Sequence, residues 1–129
     1  MMTLVHFQTP SGEWAVPIDR VHEVRLPDGI AALPVPRKGI AGVIRRGDDV
    51  LTVVSLLGEA AGHVIILEGG GELFGLLAET AVGILRADES TISPPPAGQQ
   101  GPVVTGVIRQ PDGRMVMLLD VDELVKVLE

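Results

Sequence analysis

Short apolar runs, each ended by glycine, proline or charged residues, recur along the whole chain. Many are rich in valine and isoleucine, and some alternate apolar with polar positions, which is typical of strands. The clearest run covers 42–45, turns on the polar residues 46–49 and continues as an apolar stretch at 50–57. This pattern predicts a β-hairpin whose second strand is buried.

The same plan returns near the end of the chain. Gly-Val-Ile-Arg stands at 42–45 and again at 106–109, and the second copy leads through the turn 110–113 into the apolar residues 115–119. Such an internal repeat predicts two halves with one plan. A weaker repeat at an offset of 60 residues matches Val5 with Ile65, Phe7 with Leu67, Trp14 with Phe74, Val16 with Leu76, and Val24 with Ile84.

The repeat also bears on domain organisation. We expect a single domain over 1–129, built of two pseudo-repeated halves at about 1–57 and 63–129. A half of roughly 60 residues buries only about 60% of its unfolded-chain surface, which is marginal for an independent fold. The halves should therefore share a core or exchange elements.

The first part of the chain leaves one alternative open. Residues 3–8 and an alternating run that ends at Ile18 predict the first two strands. Residues 19–26 fit either of two structures. One is a brief helical turn that Asp19 caps and that carries Val21 and Val24, and the other is a strand with His22, Val24 and Leu26 facing inward.

Two further segments have clear signals. Residues 27–39 contain three prolines and two glycines and predict an extended loop. Residues 120–129 predict a helix, because Asp120 and Glu123 form a capping-box pattern. One face of that helix would carry Val121, Leu124, Val125 and Leu128.

Composition favours an all-β fold with an aliphatic core. Hydrophobic residues make up 46% of the 129, but one Trp and two Phe are the only aromatics, while 16 glycines and 10 prolines suit short strands and turns. The net charge of −7 argues against a nucleic-acid partner, because phosphate binding needs clustered Lys and Arg. With no leader-like segment and no membrane-length apolar run, we expect a cytoplasmic protein without membrane insertion.

No combination of residues predicts catalysis, a metal site or a cofactor. The absence of cysteine excludes disulfides and thiolate chemistry. His6, His22 and His63 lack the spacing of metal ligands, and His6 and His63 are interpreted as partly exposed. The acidic pair at 48–49 fits a solvated turn better than an acid–base site. We therefore expect a binding module and not an enzyme.

A basic segment is the best candidate for partner binding. Four of the ten basic residues fall within 37–46 of an otherwise acidic chain. Arginine pairs well with carboxylates, so a basic rim here would orient an acidic partner, and nearby aliphatic residues would add apolar contact. The predicted partner-binding residues are Arg37, Lys38, Arg45, Arg46, Val35, Ile40 and Val43.

Taken in order, these motifs resemble the CheW-like domain family, the adaptor modules of bacterial chemosensory arrays. Family members carry a Leu-Pro loop, then Val-x-Gly-Val-Ile-Asn-Leu-Arg-Gly, then a strand ending Pro-Val-Val-Asp-Leu. The matching segments here are 33–34, 40–44 and 53–56, followed by Gly-Val at 106–107 and Leu-Leu-Asp-Val-Asp at 118–122. The similarity spans nearly the whole chain.

The chain departs from the family pattern in and after the central hairpin. In ungapped register Arg45 takes the place of the motif's Asn, and the motif's Arg falls on Gly47 unless the turn slips to place Arg46 there. Ser55 replaces the Asp of the following strand, and the linker 58–62 is shorter than the helix-bearing linker usual in the family.

The resemblance implies an all-β fold of two intertwined, SH3-like, five-stranded β-barrels with a short C-terminal helix. It implies a non-catalytic adaptor that couples a chemotaxis-type histidine kinase regulatory domain to chemoreceptor cytoplasmic helices or to other CheW-like domains. The groove between the barrels would serve receptors, and the barrel ends would serve kinase or adaptor domains. The alternative is a divergent structural module that self-associates or assembles with other adaptors without binding receptors.

Overall fold

The computed structural model describes residues 1–59, 62–98 and 101–128. Strands dominate it, and the only α-helix in these ranges is short, so the all-β prediction is confirmed. In chain order the elements are β1 (Met2–Thr9), β2 (Gly12–Pro17), a 3-10 turn (Ile18–Arg20), β3 (Val21–Arg25), β4 (Ile40–Arg46), β5 (Asp49–Val54), β6 (His63–Gly69), β7 (Glu72–Ala78), β8 (Thr80–Ala87), a 3-10 turn (Glu89–Thr91), β9 (Val104–Arg109), β10 (Met115–Leu119), α1 (Val121–Leu124) and a 3-10 turn (Val125–Leu128).

The strands form two five-stranded sheets that exchange hairpins. Sheet A has the order β8-β1-β2-β10-β9, and sheet B has the order β3-β6-β7-β5-β4. Neighbours are antiparallel except for the parallel pairs β2–β10 and β5–β7. Each sheet thus combines a hairpin from one half of the chain with three strands from the other half. Closure of each sheet into a barrel stays a prediction.

The exchanged hairpins β1–β2 and β6–β7 build the core that both sheets share. Four of the residue pairs matched at an offset of 60 belong to this one cluster, and each member is at most 8% exposed. Burial of such side chains contributes about 1.5–3 kcal/mol each, so the shared core is a major source of stability. The eight residues are Val5, Phe7, Trp14, Val16, Ile65, Leu67, Phe74 and Leu76.

The alternate residues of the same strands fill a separate core inside each sheet, as expected from the two-residue period of a strand. In sheet A this inner core contains Leu4, Ala15 and Val116, and in sheet B it contains Val64 and Ile66. Both faces of each exchanged hairpin are therefore buried.

The repeated Gly-Val-Ile-Arg tetrapeptide lets a loop cross a strand at close range. Ala31 of the first loop exchanges two backbone hydrogen bonds of 2.9 Å with Val43, and Ser93 exchanges bonds of 3.0 and 2.8 Å with Val107. A Cβ at Gly42 would overlap the carbonyl oxygen of Ala31. Glycine is required because the crossing loop occupies the side-chain space.

Residues 18–20 form a 3-10 turn, and the strand alternative is correct for 21–25, but its predicted face is wrong. Residues 21–25 form β3, yet Val24 is 41% exposed and Leu26 63% exposed, while Glu23 and Arg25 are half-buried. The reason is that β3 is an edge strand of sheet B, so Val24 lies at the open margin of the sheet. Ile18 is also 41% exposed, since β2 ends at Pro17 and cannot continue the alternation.

The predicted C-terminal helix is shorter than expected: α1 covers Val121–Leu124, a 3-10 turn continues to Leu128, and residue 129 lies outside the described residues. Asp120 accepts a hydrogen bond from the Glu123 N–H at 3.2 Å. Its own N–H donates to the Val103 carbonyl at 2.8 Å and so is not available for the reciprocal capping-box bond. Val121, Leu124 and Val125 belong to the shared core.

An ion pair fastens this helix to the rest of the molecule. Both terminal nitrogens of Arg20 donate to Asp122, at 2.7 and 2.9 Å, and Arg20 also donates to the Glu68 carbonyl at 3.1 Å. The Gly70 N–H donates to the same carboxylate at 2.9 Å. These bonds, that from Arg20 above all, lower the pKa of Asp122 from 3.8 to about 2.

Substitution of the repeat glycines tests the loop crossings. Gly106→Ala would place its Cβ 2.5 Å from Cγ2 of Ile92, and overpacking of this kind costs about 1–3 kcal/mol. We expect that loss for Gly106→Ala in urea denaturation, and a larger loss for Gly42→Ala, whose Cβ would overlap backbone atoms of Ala31. Gly101→Ala is the control, because its Cβ meets no atom within 4 Å. Equal stability of the three variants would contradict the account.

The ion pair between Arg20 and Asp122 predicts that the stability of the fold depends on pH. Because the folded-state pKa of Asp122 is depressed, its contribution is present above the unfolded value of 3.8 and disappears as the pH falls through about 2. The wild type should therefore have a higher urea midpoint than Asp122→Asn above pH 3.8, and the difference should vanish near pH 2. A difference that does not change with pH would contradict this assignment.

Candidate interaction surface

Strand β4 separates the predicted basic residues into two pairs. Arg37 and Lys38 are exposed in the turn before β4, where the Arg37 carbonyl accepts from the Ile40 N–H at 3.2 Å. Arg45 and Arg46 stand at the other end of the same strand. The pairs lie about 20 Å apart, since a strand rises roughly 3.3 Å per residue. The structure thus places them at two locations and not on one continuous rim.

The two arginines at the end of β4 have different environments. Arg45 is exposed, whereas Arg46 is half-buried and its Nε donates to Glu23 Oε1 at 2.9 Å. Arg25 of β3 in turn donates to the Arg45 carbonyl at 3.2 Å. These contacts connect β3 to β4, the two edge strands of sheet B.

The three predicted apolar contact residues differ in exposure. Val35 is 76% exposed. Ile40 and Val43 are half-buried, and Ile40 packs against the shared core. Val35 therefore offers most of the apolar surface near Arg37.

The sequence analysis missed two exposed aliphatic residues that face the repeated arginines. Val50 pairs across the hairpin with Arg45, and Met115 pairs with Arg109. They are 64% and 47% exposed. In the described part of the chain, neither guanidinium has a hydrogen-bond or ion-pair partner. Each half thus presents an unpaired arginine beside an exposed aliphatic side chain, and the register of the repeat could have indicated both.

On sheet A, Arg109 and Met115 line a shallow cavity of about 190 Å³. Its walls come from the loop between β8 and β9, which contains Pro94 and Pro96, and from the β9–β10 hairpin. The lining residues are Ser93, Pro94, Pro96, Val107, Arg109 and Met115.

A second exposed apolar feature continues the shared core to the surface. Across sheet A, Val16 pairs with Val5 and Val5 pairs with Ile84. The first two are buried, but Ile84 is 58% exposed. Val24 has the corresponding place on sheet B, next to the buried Ile65. The offset-60 repeat matched these two residues correctly, but only the sheet order reveals that both lie at open margins.

The histidines have structural roles. His6 is buried, not partly exposed as predicted, because it lies on the inner face of sheet A, where its Nε2 is 2.8 Å from Glu13 Oε1. His63 is half-buried, and its Nδ1 is 3.4 Å from the Glu79 carbonyl. Within the described ranges, no group of three or more His, Cys, Asp or Glu could hold a metal ion.

The fold and surface together define a class: an all-β domain of two hairpin-exchanging sheets, each of which exposes an arginine and an aliphatic side chain on one hairpin. The CheW-like domain family model matches residues 3–129, and the chain belongs to this family of chemotaxis adaptors and scaffolds. Among solved structures, the scaffolding protein TtCheW from Thermoanaerobacter tengcongensis superposes with a TM-score of 0.85 at 23% identity, over 95% of this chain and 86% of that one. No curated protein sequence matches significantly. No helix in the described residues is long and apolar enough to cross a membrane.

The different environments of Arg45 and Arg46 predict different effects of substitution. Arg46→Gln should destabilise the fold by about 0.5–1 kcal/mol, because it removes the partner of Glu23. Arg45→Gln should leave stability unchanged. Urea denaturation of both variants checks this, and an equal loss in the two would contradict the assigned pairing.

Proposed function

We propose that this chain is a non-catalytic chemosensory adaptor that acts in the cytoplasm. It couples the regulatory domain of a chemotaxis-type histidine kinase to chemoreceptor helices or to other CheW-like domains. The observation that carries the proposal is the family match over 3–129 on a chain whose exposed arginines stand beside exposed aliphatic residues. We also propose that 1–129 acts as one CheW-like domain of two pseudo-repeated halves.

The ends of the sheets are the proposed sites for kinase or adaptor domains. Arg45 with Val50 on sheet B, and Arg109 with Met115 on sheet A, combine an unpaired cation with apolar area. Such a pair fits a partner that presents a carboxylate next to an apolar side chain, because the charge orients the encounter and apolar burial adds affinity.

The predicted contact residues take different parts in this proposal. Arg45 and Val35 are fully available to a partner, and Lys38 extends the basic surface at the start of β4. Arg46 is positioned by Glu23, and Ile40 and Val43 mainly support the strand that carries the arginines.

The margin of the shared core is the proposed site for receptor helices. Ile84 and the neighbouring Val82, which is 47% exposed, extend the apolar core outward along β8. Exposed aliphatic residues that continue a buried core suit the apolar face of an amphipathic helix.

A calorimetric titration tests the adaptor proposal. The purified chain is titrated with the regulatory domain of a chemosensory kinase from the same cell, at low and high salt. We expect binding that weakens about tenfold or less with salt, since one or two surface charge pairs are involved. Arg45→Glu should weaken binding without loss of thermal stability. Arg46→Glu is unsuitable because it would place two carboxylates together.

Arg114→Glu serves as the matched control, because Arg114 is an exposed arginine already paired with Asp112 and Glu13. Unchanged affinity in both Arg45→Glu and Arg109→Glu would contradict the proposed ends as binding sites. Absence of any binding by the wild type would contradict the kinase-coupling role.

A second candidate is a structural module that self-associates or joins other adaptor domains without receptor binding. It is favoured by the pairing of Arg46 with Glu23, which leaves less free charge at this end for a receptor or kinase. Light scattering over a concentration series tests the self-association. A mass that rises beyond that of a dimer supports it, and a constant monomer mass excludes self-association of this chain.

A further inference from the structure

Sheet A depends on a hairpin whose partners lie far along the chain. Residues of β1 pair with β8, from Met2 with Ala87 to Gln8 with Thr80, and Trp14 of β2 pairs with Met117 of β10. Every one of these pairings joins residues more than 70 positions apart. A second copy of the chain offers the same strands in the same register, so the hairpin 1–17 can bind there equally well.

The apolar area that the hairpin buries would also favour its binding to a second copy. Leu4, Phe7, Ala15 and Val16 are each 0% exposed. Their burial against the opposite sheet and inside sheet A is the same whether the hairpin comes from the same chain or from another. The free energies of the two arrangements therefore differ mainly in the connection that follows β2 and in the entropy of association.

That connection is short and contributes nothing to the core. The 3-10 turn Ile18–Arg20 contains no buried residue, and Pro17 before it provides no side-chain cap. Pro17 has φ −57° and ψ 135°, which already directs the chain along an extended path. Straightening this turn would expose no core side chain. Exchange of an identical element through such a hinge is a low-cost route to a dimer.

Arg20 holds the connection in its closed path. Its guanidinium reaches the Glu68 carbonyl of sheet B and the Asp122 carboxylate of the C-terminal helix at the same time. A straightened 18–20 segment cannot keep both contacts. Arg20 is thus the side chain that favours the closed monomer.

We propose that two copies of this chain exchange residues 1–17, so that each sheet A is completed by the partner copy's hairpin. Residues 18–20 are the hinge, and the contacts of Arg20 limit the exchange. The inference rests on the topology alone and not on the proposed function.

Engineered cysteines test the exchange directly, because the chain has none of its own. Thr3 and Arg86 face each other in the β1–β8 register, a separation that suits a disulfide. Thr3→Cys and Arg86→Cys are made in separate chains, mixed at high concentration, unfolded in urea and refolded together, and then oxidised. We expect a disulfide between the two variants, and severalfold more of it when both chains also carry Arg20→Gln.

Matched controls give each outcome a meaning. The double variant in a single chain should form an intrachain disulfide, which verifies the fold and the register, and Gln8→Cys with Thr80→Cys provides a second registered pair. Arg114→Gln should not raise the yield, because its ion pairs lie within sheet A and survive in both arrangements. No interchain disulfide above that of the unregistered pair Thr3→Cys with Asp112→Cys would overturn the proposal, as would an equal yield with and without Arg20→Gln.

Discussion

The packing of hairpin β1–β2 against hairpin β6–β7 is the interaction on which the rest of the structure depends. The three aromatic side chains of the chain, Phe7, Trp14 and Phe74, are all buried in this contact. The Trp14 Nε1–H donates to Thr9 Oγ1 at 2.8 Å, so the largest side chain is buried without an unsatisfied donor. Because each hairpin also completes the sheet of the other half, separating the halves would break two sheets and one core together.

The sequence was informative wherever local pattern and repeat decide the structure. The Gly-Val-Ile-Arg copies marked both hairpins, and the offset of 60 matched Trp14 with Phe74, which lie in one core. Faces at edges were not predictable in the same way. Whether Val24 points into a core depends on which strand covers β3, and pairing between distant segments determines that. His6 was misjudged for the same reason, since its burial follows from the strands on either side of β1.

In the candidate surface, too, the sequence predicted local features but not those that depend on the pairing of strands. Clustering of Arg37, Lys38, Arg45 and Arg46 in sequence suggested one rim, but an extended strand separates residues that are close in number by about 20 Å. Pairing with Glu23 then distinguishes Arg46 from Arg45. The exposed partners of the repeated arginines become visible only when hairpin register is known. Because both faces of the exchanged hairpins are buried, exposed apolar side chains lie on the other hairpins and at the sheet edges.

Native-state hydrogen exchange tests most directly the claim that the two sheets form one cooperative unit. The measurement follows the amides of Val5 and Val16 in sheet A and of Ile65 and Leu76 in sheet B as a function of denaturant. We predict that all four exchange only through global unfolding, with the same free energy as urea denaturation. Exchange of one sheet at a clearly lower free energy, while the other stays protected, would show two separable halves and contradict this account.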